Sequence, residues 1–267
     1  MTWKIIRQAL RHRRTLFIAY GVIGLLFLLL YLPTYPTVRD QAQTINQVYK
    51  SLPKGVLDAF NITNTSNSLM GFLASKHFGL VWLLMIILLM VSFAGGAIAR
   101  EIDKRTMGLM LSLPVSRLRI YFGRLAAGIL GLIGFIVVSE LVIWPLAAIF
   151  HFPCPFGDVF NVAVLGALFG LAALGLGFMF SAMFSDTGKV YAGVGGLLLL
   201  MYVLNIIASL DAQLGKLKYV SLFHYYDPGA VIDGGRLGLA PRLVFLSVAL
   251  VATIIGAVIF NRRDVSV

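Results

Sequence analysis

Two polar side chains stand inside otherwise apolar stretches of the sequence, and they are the first candidates for chemistry. Glu140 and Asn205 each lie within an apolar run long enough to cross a bilayer as a helix. A polar group in hydrocarbon is costly, so it is retained either for transport or because it bonds to a neighbouring helix. Both residues are therefore candidates for lining a transport pathway. For Glu140 the structural alternative is a position near the outer interface, paired with another helix.

The motifs of a nucleotide-binding or metal-dependent enzyme are missing. The sequence has no G-x-x-x-x-G-K-[ST] loop, so we expect any ATP to be bound by another chain. It also has no H-E-x-x-H pair. We predict that all four histidines lie outside the membrane spans, which argues against an intramembrane metal site or a Ser–His hydrolase. They are His12, His77, His151 and His224.

The composition indicates an integral membrane protein. Of the 267 residues, 59% are hydrophobic and only 12% are charged, about half the charged fraction of a soluble domain. The lone Cys154 excludes a disulfide framework and is expected to lie in a loop. Apolar runs predict an all-α fold with six transmembrane helices and no second domain. The runs lie at about 15–34, 79–99, 120–149, 160–184, 189–210 and 242–260.

The basic residues predict the orientation of these helices. A net charge of +11 would suggest nucleic-acid binding in a soluble protein, but here Lys and Arg lie at the ends of apolar runs. Most of the 22 Lys and Arg fall on one side if the N-terminus is inside. We therefore predict a plasma-membrane protein with both termini in the cytoplasm and no nucleic-acid partner. Outer loops are predicted at 35–78 and 211–241, and part of the second, 211–236, is apolar enough to dip into the membrane and return.

The first 14 residues have the pattern of an amphipathic helix. At about 100° per residue, Trp3, Ile6 and Leu10 share one stripe. A basic stripe lies beside it and consists of Lys4, Arg7, Arg11 and Arg14. Such a helix suits the inner surface of the membrane, in contact with lipid. The alternative is a basic flank that only sets topology.

The connecting segment between the second and third runs, residues 100–118, carries another amphipathic pattern. A short helix is predicted to end at Pro114, which has no N–H to donate, and Ser116 suits the cap of the next helix. Glu101 has two basic candidates for an ion pair one turn later, Lys104 and Arg105. The apolar side of this helix needs the membrane or a groove on another protein as its partner. The alternative is a solvated turn.

This connecting segment resembles that of type-2 ABC transporter permeases. Members of that family often show a pattern similar to E-x-x-x-G-T…L-L-x-x-P-[VI]-S-R after the second span. The chain matches it at Glu101, Thr106, Leu109, Leu111, Pro114, Val115, Ser116 and Arg117. It departs at Arg105, where the family often has Gly. The layout is also similar, with a basic N-terminal helix, six spans, a large first outer loop and a tail that includes Asn-Arg-Arg-Asp at 261–264.

The resemblance implies that residues 1–267 form one permease domain, half of the pathway of an ATP-driven exporter. A second permease subunit, identical or different, would complete the pathway. Two ATPase subunits would bind and hydrolyse ATP with Mg²⁺, while this chain would bind no cofactor and would not be an enzyme. The connecting segment would contain a coupling helix that docks on the ATPase. The docking residues implied are Glu101, Ile102, Arg105, Thr106, Leu109, Leu113, Pro114, Ser116 and Arg117.

A self-sufficient secondary carrier or channel is the alternative function. A carrier needs buried groups that couple an ion to transport, and Glu140 is the one carboxylate well inside a predicted span. The sequence also shows no clear internal repeat of the kind on which many carriers are built. An intramembrane enzyme is a third possibility, disfavoured by the lack of suitable His and metal ligands.

Overall fold

Six long apolar helices dominate the described part of the chain. The computed structural model describes residues 2–41, 44, 47–48, 51–52, 57, 68–104, 115–211 and 213–263. Within these ranges every regular element is helical, and six stretches are long and apolar enough to cross a membrane. The prediction of an all-α protein with six spans is confirmed. Spans 1 to 6 are Trp3–Asp40, Leu69–Gly95, Arg117–Ile149, Phe156–Met183, Thr187–Leu210 and Leu239–Arg262.

Span 1 belongs to one continuous helix, Thr2–Asp40. The predicted surface helix at 1–14 and the first membrane run therefore join without an intervening loop. The helix also contains Pro33 and Pro36 and continues past the predicted end of the first run at about 34. Proline ordinarily interrupts a helix by removing a hydrogen bond. The helix thus extends to Asp40, six residues beyond the predicted end of the first apolar run.

Span 2 begins at Leu69, about ten residues earlier than predicted. Ser68 starts it, because its hydroxyl oxygen accepts a hydrogen bond of 3.0 Å from the N–H of Gly71. The span then consists of an α-helix Leu69–Leu73, a π-helical segment Ala74–Trp82 and an α-helix Leu83–Gly95. Polar residues at 75–77 interrupt the apolar run, and for that reason hydropathy alone placed the start too late.

Span 3 contains a second π-helical segment, Val137–Leu141, between the α-helices Arg117–Ile136 and Ile143–Ile149. The two π-helical segments are joined by a hydrogen bond of 2.9 Å, which Trp82 Nε1 donates to Ser139 Oγ. Irregular turns of this kind occur frequently at functional sites. Spans 2 and 3 therefore meet where neither backbone is a regular α-helix.

Spans 2 and 4 form the centre of the bundle. In the 18-residue apolar stretch of each of these two spans, 72% of the residues are buried inside the protein. The corresponding share is 22% in spans 1 and 5 and 28% in span 6. Gly166 of span 4 allows this packing, since a Cβ there would come within 2.1 Å of the Trp82 ring. The face of span 4 that carries Gly166 thus packs inside the chain. The outer faces of spans 1, 5 and 6 are left for lipid or for another subunit.

The segment after span 5 folds back onto the bundle. It forms the 3₁₀-helices Gly215–Val220 and Leu222–Tyr225 and the α-helix Pro228–Asp233. Tyr226 is fully buried, and its hydroxyl donates a hydrogen bond of 3.1 Å to the carbonyl oxygen of Phe78 in span 2. The part of the segment from Ser221 onward therefore packs against the bundle, whereas no residue of Gly215–Val220 is buried, and the dip into the membrane stays a prediction.

Candidate functional site

The structure describes four of the nine predicted docking residues. These are Glu101, Ile102, Ser116 and Arg117. Arg105, Thr106, Leu109, Leu113 and Pro114 lie outside the described residues. The site can therefore be built from the two flanks of residues 105–114. Both flanks lie at the inner end of the bundle, defined here as the end formed by residues 2–14, 96–104, 115–124, 181–189 and 260–263.

The first flank is the short helix Ala99–Asp103. Ser181 of span 4 holds its start, because the Ser181 hydroxyl accepts hydrogen bonds from the N–H groups of Ile98 (3.3 Å) and Ala99 (3.0 Å). Thr187 of span 5 holds its end by donating a hydrogen bond of 3.3 Å to Asp103 Oδ2. The helix that precedes the undescribed segment is thus attached to spans 4 and 5.

An ion pair attaches the same helix to span 3. Glu101 Oε1 lies 3.3 Å from Arg124 Nη2, and the two side chains are only 24% and 10% exposed. The sequence predicted Lys104 or Arg105 as the partner. Lys104 makes no ion pair within the described residues, and Arg105 lies outside them. One signal could have identified Arg124: a cation two turns inside an apolar span needs a buried counter-charge.

The second flank begins at Ser116, which caps span 3 as predicted by accepting a hydrogen bond of 3.3 Å from the N–H of Arg119. Arg117 donates a hydrogen bond from Nη1 to the backbone carbonyl of Arg263 at the end of span 6. Burial lowers the pKa of the Arg263 guanidinium, but arginine remains charged at neutral pH. Arg263 in turn donates to the carbonyl oxygen of Ala182 at 2.7 Å.

We call this set of bonded side chains the inner platform. It connects the inner ends of spans 3, 4, 5 and 6 to both flanks of residues 105–114. Such a network of charged and hydrogen-bonded groups resists deformation more than isolated contacts do. Its members are Glu101, Asp103, Ser116, Arg117, Arg124, Ser181, Thr187 and Arg263.

Arg13 of span 1 lies beside the platform, at a cavity of about 310 Å³ that Glu101 and Arg124 also line. Its Nη2 atom is buried and has no hydrogen-bond partner within the described residues. Gly96 makes room for it, because a Cβ at that position would lie 1.4 Å from Arg13 Nη2. Sequence reasoning gave Arg13 no separate role and did not predict this approach.

One side of the predicted N-terminal surface helix packs against the bundle, and the other side is exposed. Ile6 and Leu10 are half-buried and pack against the core, whereas Trp3 is 65% exposed. The basic residues of the predicted stripe are all exposed; they are Lys4, Arg7, Arg11 and Arg14. Part of the apolar stripe is therefore covered by the bundle itself. Contact of this helix with lipid stays a prediction.

Glu140 is fully buried in the π-helical segment of span 3. Neither of its carboxylate oxygens has a hydrogen-bond partner within the described residues. Glu140 lies close enough to Tyr226 and Cys154 for its charge to act on both. Burial raises the pKa of the Tyr226 hydroxyl, and the charge of Glu140 raises it further. Burial also raises the pKa of the Cys154 thiol to about 11, with contributions from Asp158 and Glu140.

His77 corrects a prediction. It was expected outside the spans, but it lies in the π-helical segment of span 2 and is fully buried. Both ring nitrogens lack hydrogen-bond partners within the described residues, and the ring packs against those of Tyr31 and Phe78 at 5.7 and 5.1 Å. The reason is the early start of span 2. No signal in the sequence distinguished His77 from a loop residue.

Asn205 is buried in span 5, and its backbone carbonyl accepts a hydrogen bond of 2.8 Å from Ser209 Oγ. No hydrogen bond joins Asn205 to Glu140 or His77 within the described residues. The structure therefore does not combine the intramembrane polar candidates into one bonded group. Nor does any group of three His, Cys, Asp or Glu within the described ranges lie where it could hold a metal ion.

Comparison with known proteins identifies the family. A family model described as ABC-2 family transporter protein matches residues 1–265, a range that includes all six spans and the inner platform. A search of curated proteins found no match to the chain. The match supports the earlier resemblance over nearly the whole sequence. The chain belongs to the ABC-2 transporter family and is a multi-pass membrane permease component of an ABC transporter.

Proposed function

We propose that this permease is part of an exporter, and that a separate ATPase docks on residues 105–114 and on the inner platform. The observation that carries the proposal is the attachment of both flanks of residues 105–114 to the bundle. Glu101 and Asp103 hold one flank to spans 3 and 5, and Arg117 holds the other to span 6. Because both flanks of residues 105–114 are bonded to the bundle, a movement of this segment by the ATPase would also move spans 3, 5 and 6.

The coupling step follows from these contacts. When the ATPase closes on nucleotide, the docked segment is displaced together with the short helix Ala99–Asp103. The ion pair from Glu101 to Arg124 passes this displacement to span 3, and the bond from Thr187 to Asp103 passes it to span 5. Family membership supports an ABC ATPase as the partner. Two ATPase copies, each binding ATP and Mg²⁺, are part of the proposal, and this chain supplies no cofactor site.

The proposed orientation places the inner platform and both termini in the cytoplasm, in the plasma membrane. The support is the excess of Lys and Arg at the inner end. That end includes the exposed basic residues of the first helix, and no carboxylate precedes Asp40 in the sequence to offset them. An ATPase that draws on cytoplasmic ATP must reach this same end.

A second permease subunit, identical or different, is proposed to complete the pathway. Spans 1 and 5 leave most of their apolar surface uncovered, which supports a partner in the membrane. Between spans 2 and 5 lies an apolar groove of about 160 Å³, lined in part by Ile87, Leu198, Tyr202 and Phe223. We assign this groove to the half-pathway for an apolar or amphipathic substrate, because its lining is almost free of polar groups.

The docking proposal can be tested with a pair of double variants in the full chain. Leu109→Glu with Leu113→Glu places charge on the proposed docking helix. Leu214→Glu with Leu217→Glu makes the same change in the loop after span 5, where these side chains are 41% and 37% exposed. The cognate ABC ATPase should co-purify with the wild type and the control but not with the docking variant. Equal co-purification of all three would overturn the proposal.

A secondary carrier is the second candidate, and one observation favours it. Glu140 and His77 are two buried titratable side chains without hydrogen-bond partners within the described residues, in π-helical segments of neighbouring spans. A carrier needs such groups to bind a coupling ion. Transport driven by an ion gradient in vesicles that contain the chain but no ATPase would support this function. Transport only with the ATPase and ATP would exclude it.

A further inference from the structure

We propose that a groove between spans 1 and 3 binds one anionic phospholipid from the inner leaflet. The groove has a volume of about 450 Å³ and an almost wholly apolar lining. Ile18, Val22 and Val138 form its exposed walls, being 62%, 50% and 42% exposed. Gly134 leaves it open, because a Cβ there would meet no atom within 4 Å. We call this the lipid groove.

The length of the lipid groove matches one leaflet. On span 1 it extends from Leu10 to Val22, about 18 Å at a rise of about 1.5 Å per residue. One leaflet contributes about 15 Å of hydrocarbon, whereas a partner transmembrane helix must cross about 30 Å. An acyl chain from the inner leaflet therefore fits the groove. A helix of a second subunit would extend well beyond it.

The charge at the groove's inner end selects an anionic headgroup. Arg14 lines the groove there and makes no ion pair within the described residues. Arg11 and Arg7 follow towards the N-terminus on the same face, and both are exposed. No carboxylate occurs in the sequence before Asp40. Guanidinium groups bind phosphate oxygens through paired hydrogen bonds, so this basic end suits a phosphate held at the membrane surface.

The apolar lipid groove and the basic residues at its inner end together form a lipid-binding site with two parts. The acyl chain contributes apolar contact, and the headgroup contributes the preference for negative charge. The site uses the orientation given above, but it does not depend on ATPase docking or on the direction of transport. A negative result in the docking test would therefore not contradict the lipid site. A negative result in the lipid test would not contradict the docking proposal.

The experiment uses the full chain in detergent and native mass spectrometry. Phosphatidylglycerol and phosphatidylcholine with the same acyl chains are titrated separately, and free inorganic phosphate is the third ligand. We expect one tightly bound phosphatidylglycerol, weaker phosphatidylcholine and no bound phosphate. Equal affinity for the two lipids would overturn the proposal, since the basic end would then contribute nothing.

Two variants with matched controls test the two parts of the site. Gly134→Leu places an apolar side chain in the groove at a position where a Cβ meets nothing within 4 Å, and Gly196→Leu is its control, because a Cβ at Gly196 in span 5 also meets nothing within 4 Å. Arg14→Gln removes the charge, and Arg262→Gln removes one from the exposed end of span 6. We expect Arg14→Gln to weaken phosphatidylglycerol binding about fivefold, as expected for one basic residue at an anionic surface.

Gly134→Leu should weaken both lipids, while Gly196→Leu and Arg262→Gln should leave binding unchanged. Circular dichroism and elution volume check that each variant is folded. Unchanged lipid binding by folded Gly134→Leu would overturn the proposal. So would a loss of permease dimers by Gly134→Leu without a loss of lipid, because the groove would then be a subunit interface.

Discussion

Glu101 and Arg124 form an ion pair of 3.3 Å that joins the two sides of the connecting segment. Glu101 belongs to the helix that precedes residues 105–114, and Arg124 lies two turns into the span that follows them. The pair therefore closes the connecting segment into a loop with a fixed base. Both side chains are mostly buried, so neither charge is well solvated by water if the other is removed.

Loss of this carboxylate should destabilise the protein. Glu101→Gln removes the negative charge that lies 3.3 Å from the buried Arg124 guanidinium, and we expect a loss of about 3 kcal/mol, in the range for a broken buried pair. Lys104→Gln is the control, because Lys104 makes no ion pair within the described residues. Thermal unfolding in detergent measures both variants. Equal melting temperatures for the two would show that the ion pair does not hold the segment.

Overpacking at Gly166 should destabilise the centre of the bundle. Gly166→Ala places a Cβ 2.1 Å from the Trp82 ring, which is fully buried and hydrogen-bonded to Ser139. Overfilling a packed core costs about 1–3 kcal/mol. Gly196→Ala is the control, since a Cβ there meets no neighbour. We expect Trp82→Phe to recover part of the loss, and a Gly166→Ala variant as stable as the control would contradict the packing described.

Glu140 should be retained for function rather than for stability. Its carboxyl group is buried without a hydrogen-bond partner within the described residues, so Glu140→Met removes an unsatisfied polar group and fills a similar volume. We expect a gain of about 1–3 kcal/mol, the usual cost of leaving a buried polar group unsatisfied. Substrate-stimulated ATP hydrolysis should fall in the same variant.

Leu141→Met is the matched control at the next position. It should change neither the melting temperature nor the ATPase rate. If Glu140→Met lowered the melting temperature, Glu140 would have a bonding partner and a structural role. If hydrolysis were unaffected, Glu140 would have no role in the pathway.

The sequence predicted the six spans because the length of an apolar run alone decides whether a helix can cross a membrane. It did not predict where span 2 begins, since the polar residues at 75–77 interrupt that apolar run. The side chain that packs on His77 there, Tyr31, comes from span 1 and is distant in the sequence. It placed the end of the first run at about 34, where the apolar residues stop, whereas the helix continues through Pro36 to Asp40. Predictions from local sequence were confirmed where the bonding partner lies a few residues away, as for the helix cap in which Ser116 accepts a hydrogen bond from the N–H of Arg119.

The pairing of Glu101 with Arg124 was missed for a related physical reason. Helical periodicity identifies partners three or four residues away, and it contains no information about which helix packs beside which. The same holds for Arg13 of span 1 and Gly96, which directly follows span 2 and approaches Arg13. Predicting such contacts needs the arrangement of the spans, which depends on the packing of all six.

The most direct test of the docking claim is a disulfide cross-link between residue 109 and the partner ATPase. The chain has a single cysteine, so Cys154→Ser gives a cysteine-free background into which Leu109→Cys is placed. With cysteines introduced in the grooves of the ATPase surface, we predict an oxidised adduct for Leu109→Cys and none for Leu214→Cys in the loop after span 5. A Leu109→Cys thiol that reacts fully with a water-soluble maleimide while the ATPase is present, and forms no adduct, would contradict the account.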